Sequence, residues 1–404
     1  MLIIAVLLYG QSTAGNNYWK PVEKVSLSGL EKMNRNTIPS TAYYYELNLQ
    51  QLKSLLQQAP NRGQQSNLII EFPDAYGKMQ SFRVYASPIM PEVLSNKYPM
   101  IKTYCAQGID DPTATMRFSV TQFGLHGMIL SGTNPTNYID TYTKDLNYYM
   151  VYDKASLAGN VRNFECLTDE DAELPSMRNS VAGINNNTDD QLLRTYRLAL
   201  TCTAEYGNIF ATTPGNEKAD IFAQMTITMN RVNGVYERDL AITMEFVPNN
   251  DTLIYYGNTA QDPWSNEWNT KTAQVCDQYI GVNNYDIGHN FNTTGGGNAG
   301  CIACVCLSSS QSGTHKGRGM TGSANPTGDP FDIDYVAHEM GHQYGGYHIM
   351  NTCSRSGSGN TEVEPCSGSS IMGYAGICSV NIQPHSDDDF NYVNVRDISA
   401  NVQT

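Results

Sequence analysis

His338-Glu339-Met340-Gly341-His342-Gln343-Tyr344-Gly345-Gly346-Tyr347-His348 reads as HExxHxxGxxH. In an α-helix, residues four apart share a face, so His338 and His342 present two imidazoles to one point. That is a zinc-binding spacing. Glu339 lies between them, rotated off the metal, where a carboxylate can take a proton from water. Gly345 lets the backbone leave the helix sharply, because glycine enters left-handed conformations without a Cβ penalty. His348 can then return as a third ligand. At this composition HExxH alone arises by chance about once in 200 such chains, and the full pattern roughly once in 10⁵.

The chain has 404 residues, of which 40% are hydrophobic and only 16% charged. It is long enough for two domains with real cores. Net charge is −14 with no Lys/Arg cluster, which argues against nucleic acid and anionic membrane as partners. Leu2 to Leu8 is apolar but too short to span a bilayer, and Ser12-Thr13-Ala14 follows with small residues. Residues 1–14 therefore read as a secretory signal peptide lacking its basic start, against the alternative of a buried N-terminal strand. Ten cysteines agree with an oxidising destination, secreted or at a cell surface. No other stretch is apolar enough to be a transmembrane segment.

Residues 15–155 read as a β-rich domain. Asn67 to Phe72 and Ser81 to Tyr85 form a hairpin across Pro73-Asp74-Ala75-Tyr76-Gly77, and Met116 to Val120 pairs with Leu125 to Leu130. Further strands are expected at Tyr138 to Thr141 and Tyr148 to Tyr152, with one helix near Leu47 to Gln58. Residues 156–193 are polar, with Asp169-Glu170-Asp171, Pro175 and Asn185-Asn186-Asn187, and read as a linker and activation segment. Arg178 and Arg194 are basic residues near its end. From 194 to 404, strands alternate with helices: Tyr196 to Thr201, a long helix Glu217 to Tyr236, a strand Leu240 to Val247, and a helix Trp268 to Ile280. Extended pieces follow at Tyr285 to Asn290 and Ile302 to Leu307. Asp329 or Asp332 is expected to cap the histidine helix, and Ser386 or Asp387 to start the last one.

Downstream, Ser370-Ile371-Met372-Gly373-Tyr374 places a methionine turn after the histidine motif. With HExxHxxGxxH it resembles the metzincin zinc metalloproteases, and Thr195 to Tyr206, Asn230 to Leu240 and Gly373 to Cys378 look like the bacterial reprolysin-like family. The resemblance implies a catalytic domain with a mixed twisted sheet, an active-site helix and an irregular lower subdomain. It implies His338, His342 and His348 as zinc ligands, Glu339 as general base and acid, and Met372 as a packing floor. Tyr374 stands where some metzincins hold a tyrosine that supports the zinc or the oxyanion, against the alternative of a packing role under the helix. Ile349 departs from the venom enzymes, which carry Asp there.

The β-rich half is then expected to be a prodomain, an intramolecular inhibitor. Cys166 in Asn163-Phe164-Glu165-Cys166 has two readings: a thiolate occupying the metal's fourth position in a zymogen, or a disulfide partner of Cys105. Cys353 with Cys366 and Cys306 with Cys378 are the expected disulfides of the second half. Asp387-Asp388-Asp389 suits either calcium binding or a helix N-terminus. The resemblance implies that Gly295 to Gly300 leads into an edge strand where a peptide adds, against the alternative of a surface loop. The function expected is a secreted zinc endopeptidase made as a zymogen, acting on protein or peptide substrates. The alternative is a catalytically weak, zinc-bearing adhesion or protein-binding module on the same scaffold, which has no need of Glu339.

Overall fold

The computed structural model describes residues 18–35, 37–157, 164–170, 190–308, 313–353 and 361–402. The apolar run Leu2 to Leu8, Arg178 and residues 171–189 lie outside them. The alternating pattern of the N-terminal half produces a nine-stranded antiparallel sheet. Its strands are β1 (Trp19–Val22), β2 (Tyr43–Leu47), β3 (Ile69–Pro73), β4 (Met79–Ala86), β5 (Lys102–Gly108), β6 (Thr115–Thr121), β7 (Gly124–Leu130), β8 (Asn137–Thr141) and β9 (Tyr148–Asp153). They lie in the order β1-β2-β9-β8-β7-β6-β5-β4-β3. The expected hairpins form because their turns are chemically specified. Asp74 Oδ1 accepts hydrogen bonds from the Tyr76 and Lys78 N–H groups at 2.9 and 2.8 Å, closing the β3–β4 turn.

Alternation leaves the sheet with two apolar faces, and both are covered. One packs Phe72, Phe82 and Phe118 with Leu52 and Leu56 of the helix Leu49–Leu56. The other packs Met128, Tyr138, Met150 and Tyr152 into one cluster with Phe222, Met225, Met229 and Val232 of the helix Glu217–Leu240. That helix is buried almost all round, which is expected of an element sandwiched between two layers. Polar groups fasten the same contact. Arg117 on β6 pairs with Glu237, and its Nη1 donates to Asn230 Oδ1 at 3.2 Å. Arg231 reaches both Asp140 on β8, at 2.5 Å, and Asp332, at 3.0 Å.

The second sheet is mixed and six-stranded, in the order β10-β14-β15-β13-β11-β12. Its strands are β10 (Glu165–Cys166), β11 (Arg194–Cys202), β12 (Ile242–Phe246), β13 (Ile287–Asn292), β14 (Gly296–Asn298) and β15 (Gly319–Gly322). β12, β11, β13 and β15 are parallel, β14 runs against β15, and β10 is parallel to β14. β10 comes from the stretch that composition reads as linker. Phe164, Thr168 and Glu170 around it are buried, because they fill a cleft built by other elements rather than a core of their own.

Three local expectations differ from the structure. Ile302 to Leu307 is a turn rather than a strand, since Cys301 pairs with Cys304 and both Ala303 and Cys306 take positive φ, 59° and 65°. The other disulfide joins Cys353 to Cys378, leaving Cys366 and Cys306 free, in place of the expected Cys353–Cys366 and Cys306–Cys378 pairs. The last helix is Tyr392–Val402, not one begun at Ser386 or Asp387. There the Ser386 N–H is taken by Asp334 Oδ1 at 3.2 Å and the Asp387 N–H by the Ser369 carbonyl at 2.6 Å. Among the described residues, no helix is long and apolar enough to cross a membrane.

Candidate active site

The histidine motif sits on the helix His338–Tyr344, preceded by a wide π-helical segment Pro330–Ala337. Asp329 makes no capping hydrogen bond there. The helix ends at Gly345, whose φ of 114° only glycine adopts without strain. The chain turns back there and brings His348 over the helix, fully buried beside His338 and His342.

The tautomers follow from the backbone. His338 Nδ1 donates to the Ile371 carbonyl and His342 Nδ1 to the Gly346 carbonyl, each at 2.7 Å. A carbonyl only accepts, so Nδ1 carries the proton and Nε2 is a bare lone pair on both rings. His338 Nε2 and His342 Nε2 each lie 3.2 Å from His348 Nε2. Burial lowers the His338 pKa to about 4, so this ring is neutral at pH 7. At least two of the three converging Nε2 atoms thus carry no proton, and a cation suits such a set. Tetrahedral zinc, with Zn–N of about 2.0–2.1 Å, spaces its nitrogens about 3.3 Å apart. The donor set therefore fits zinc.

Cys166 supplies a fourth donor. Its Sγ lies 3.6 Å from His342 Nε2, and the four donor atoms all fall within 4.8 Å of one another. A sulfur and a nitrogen on one tetrahedral zinc stand about 3.6 Å apart. Burial and the neighbouring Glu339 charge push the thiol pKa well above its ordinary range, so a thiolate here needs a cation beside it. Cys105, the alternative disulfide partner, stays free on β5.

The rest of the segment locks onto the same cleft. Glu165 N donates to the Gly295 carbonyl at 3.1 Å and Leu167 N to the Gly297 carbonyl at 2.8 Å, so β10 occupies the edge of β14. The Thr168 hydroxyl donates to Glu339 Oε2 at 3.0 Å. Glu170 Oε1 accepts from the His348 N–H at 2.7 Å and stands 3.1 Å from His348 Nδ1. The Phe164 ring stacks on Tyr335, centroids 3.9 Å apart. Sequence reading missed Thr168 and Glu170, since a polar stretch carries no local sign that a distant cleft will bury it.

Glu339 is fully buried, and burial raises its pKa to about 8, against the hydrogen bonds from Cys166 and Thr168 that pull it down. β14 presses on it: a Cβ added to Gly297 would stand 2.4 Å from Glu339 Cγ and Oε1. Met372 is buried beneath the helix, its Sδ 2.6 Å from where a Cβ on Gly341 would be. Tyr374 lies beside the histidines, its ring centroid 4.7 Å from that of His348 and 6.0 Å from that of His338.

A helix bearing HExxH, a glycine exit, a third histidine and a methionine turn beneath them define a metallopeptidase site of the metzincin kind. Metallo-peptidase family M12B, reprolysin-like, matches residues 193–401, and the chain belongs to this family. It is accordingly a zinc-dependent peptidase, a hydrolase of protein or peptide substrates. No curated protein matches the chain. Among solved structures, metalloproteinase-II from Bacteroides fragilis is similar at 12% identity, over 87% of this chain and 95% of that one, with a TM-score of 0.43.

Proposed function

We propose that the chain is the latent precursor of a secreted zinc endopeptidase, with residues 15–155 as prodomain, 156–193 as the activation segment and 194–404 as the catalytic metzincin domain. The observation that carries this reading is the convergence of three imidazole Nε2 atoms and the Cys166 sulfur on one point. His338, His342 and His348 would hold zinc in both forms, and Cys166 would add its sulfur only in the precursor. Zinc bound there supplies Lewis acidity, polarising a carbonyl and lowering the pKa of water toward about 7.

The chain's own groups do the rest. Cutting beyond residue 170 and releasing the segment frees Glu339 from Thr168 and removes the sulfur. Glu339 then accepts the proton of the attacking water and returns it to the leaving amine. The main-chain groups of Gly295 to Asn298, now bonded to β10, become available to an extended substrate. Tyr374, whose ring lies beside His348, would support the developing oxyanion in this reading.

The test compares cleavage of a peptide library by the processed enzyme with and without chelator, alongside its zinc content. Internal cleavage that is lost with zinc and lost in Glu339→Ala, with zinc still bound, is expected. A Glu339→Ala enzyme retaining full chelator-sensitive cleavage would overturn the mechanism. An intact zinc site with no cleavage in the wild type would favour a binding module.

A further inference from the structure

Lys154 follows β9 in the N-terminal half, yet its ammonium is buried in the peptidase half. It lies 3.3 Å from Asp329 Oδ1 and 3.4 Å from Asp334 Oδ1, and in direct contact with Asp388. Tyr138 from β8 enters beside it, its hydroxyl bonded to Asp329 and 3.0 Å from Asp388 Oδ2. The three carboxylates are almost completely buried. Three such groups around one cation leave negative charge in excess, and burial raises the Asp329 pKa to about 7 accordingly. Asp329 Oδ2, with no exposed surface to its side chain, has no hydrogen-bond partner among the described residues. Donor atoms of Asp329, Asp334 and His385 also lie within 4.8 Å of one another.

We propose that Asp329, Asp334 and Asp388 form a second cation site of the peptidase half, selective for a hard divalent ion of the calcium type, which Lys154 keeps closed in the precursor. Carboxylate oxygens suit such an ion. His385, whose Nδ1 is 3.4 Å from Asp334 Oδ2, orients that carboxylate rather than ligating. The site joins the entrance of the histidine helix to the loop after the methionine turn. A cation there clamps the two when the N-terminal half no longer does.

The timing of this exchange rests on the precursor reading, but its test does not. The full-length chain, zinc-loaded and in calcium-free buffer, is compared as wild type, Lys154→Met and Lys154→Met/Asp388→Asn. Lys154→Met is expected to melt below wild type and to gain roughly 5 °C or more in millimolar calcium. Wild type and the double variant are expected to be unmoved. No gain in Lys154→Met, or an equal gain in either control, overturns the proposal. Lys154→Gln, which keeps a donor toward the carboxylates, is the milder second variant and must respond in the same direction. A calcium response in these variants, together with a wild type that is never processed, would keep the site and discard the precursor reading.

Discussion

Replacing Cys166 with alanine should raise the activity of the uncleaved chain about 100-fold. Without the thiol, residues 164–170 retain two main-chain bonds to the β14 edge, bonds from Asn298 to the Leu167 carbonyl and from the Ala299 N–H to Thr168, the Thr168–Glu339 and Glu170–His348 bonds, and the Phe164 stack on Tyr335. At about 1 kcal/mol for each of the first four bonds and about 2 for each bond to a carboxylate, with about 2 for burying the phenyl ring, the grip is roughly 10 kcal/mol. Ordering the backbone of residues 164–170 costs about 1 kcal/mol per residue, roughly 7 in all. The balance of roughly 3 kcal/mol favours a closed cleft only modestly, and the sulfur adds to it. Zinc sites with four protein ligands contribute about 10–16 kcal/mol, or about 3 per ligand, which is the 100-fold stated. The assay is the initial rate of chelator-sensitive peptide hydrolysis, with mass spectrometry verifying that the chain is still whole. A Cys166→Ala chain that binds zinc and stays as latent as wild type would refute the reasoning.

Gly297→Ala places a methyl group against Glu339 Cγ and Oε1, 2.4 Å away, and should cut kcat of the processed enzyme at least about 10-fold while zinc binding persists. Arg231→Ala leaves Asp140 with Arg35 alone as its cation and takes the Arg231 cation away from Asp332 in the core, and should lower urea-unfolding stability by about 3–5 kcal/mol. The pH dependence of stability has a definite sign at Asp329. Its folded pKa, about 7, lies above its ordinary value, so its contribution is complete below about pH 4 and is lost as pH rises through 7. Thermal melts between these limits should therefore show a smaller fall with rising pH for Asp329→Asn than for wild type. A disulfide map should find Cys353 joined to Cys378 and Cys301 to Cys304, with no Cys353–Cys366 peptide.

The parts of the fold legible in the sequence are those whose signals are local. Asp74 and Gly77 specify a turn, Ile221, Met225, Thr228 and Val232 mark a buried helical face, and Gly345 ends the histidine helix. The histidine constellation was legible because one turn of helix and one glycine set its geometry. Thr168, Glu170 and Lys154 were not, since each is buried by partners about 170 to 230 residues away in sequence. Nothing in a neighbouring residue announces such a contact. The start of the last helix and the role of Asp329 misled for the same reason. Local capping chemistry was outbid by tertiary hydrogen bonds, accepted by Asp334 and the Ser369 carbonyl and donated by Tyr138.

The helix Glu217–Leu240 has apolar side chains of the N-terminal sheet on one flank and of the peptidase half on the other, in a single continuous cluster. Taking the sheet away opens hydrophobic core as well as parting the Arg117–Glu237 and Arg231–Asp140 pairs. The N-terminal sheet thus completes the core of the peptidase half, and a peptidase half stripped of it should persist only by the height of its unfolding barrier. Once melted, such an enzyme should not regain activity unless the sheet is supplied again in trans.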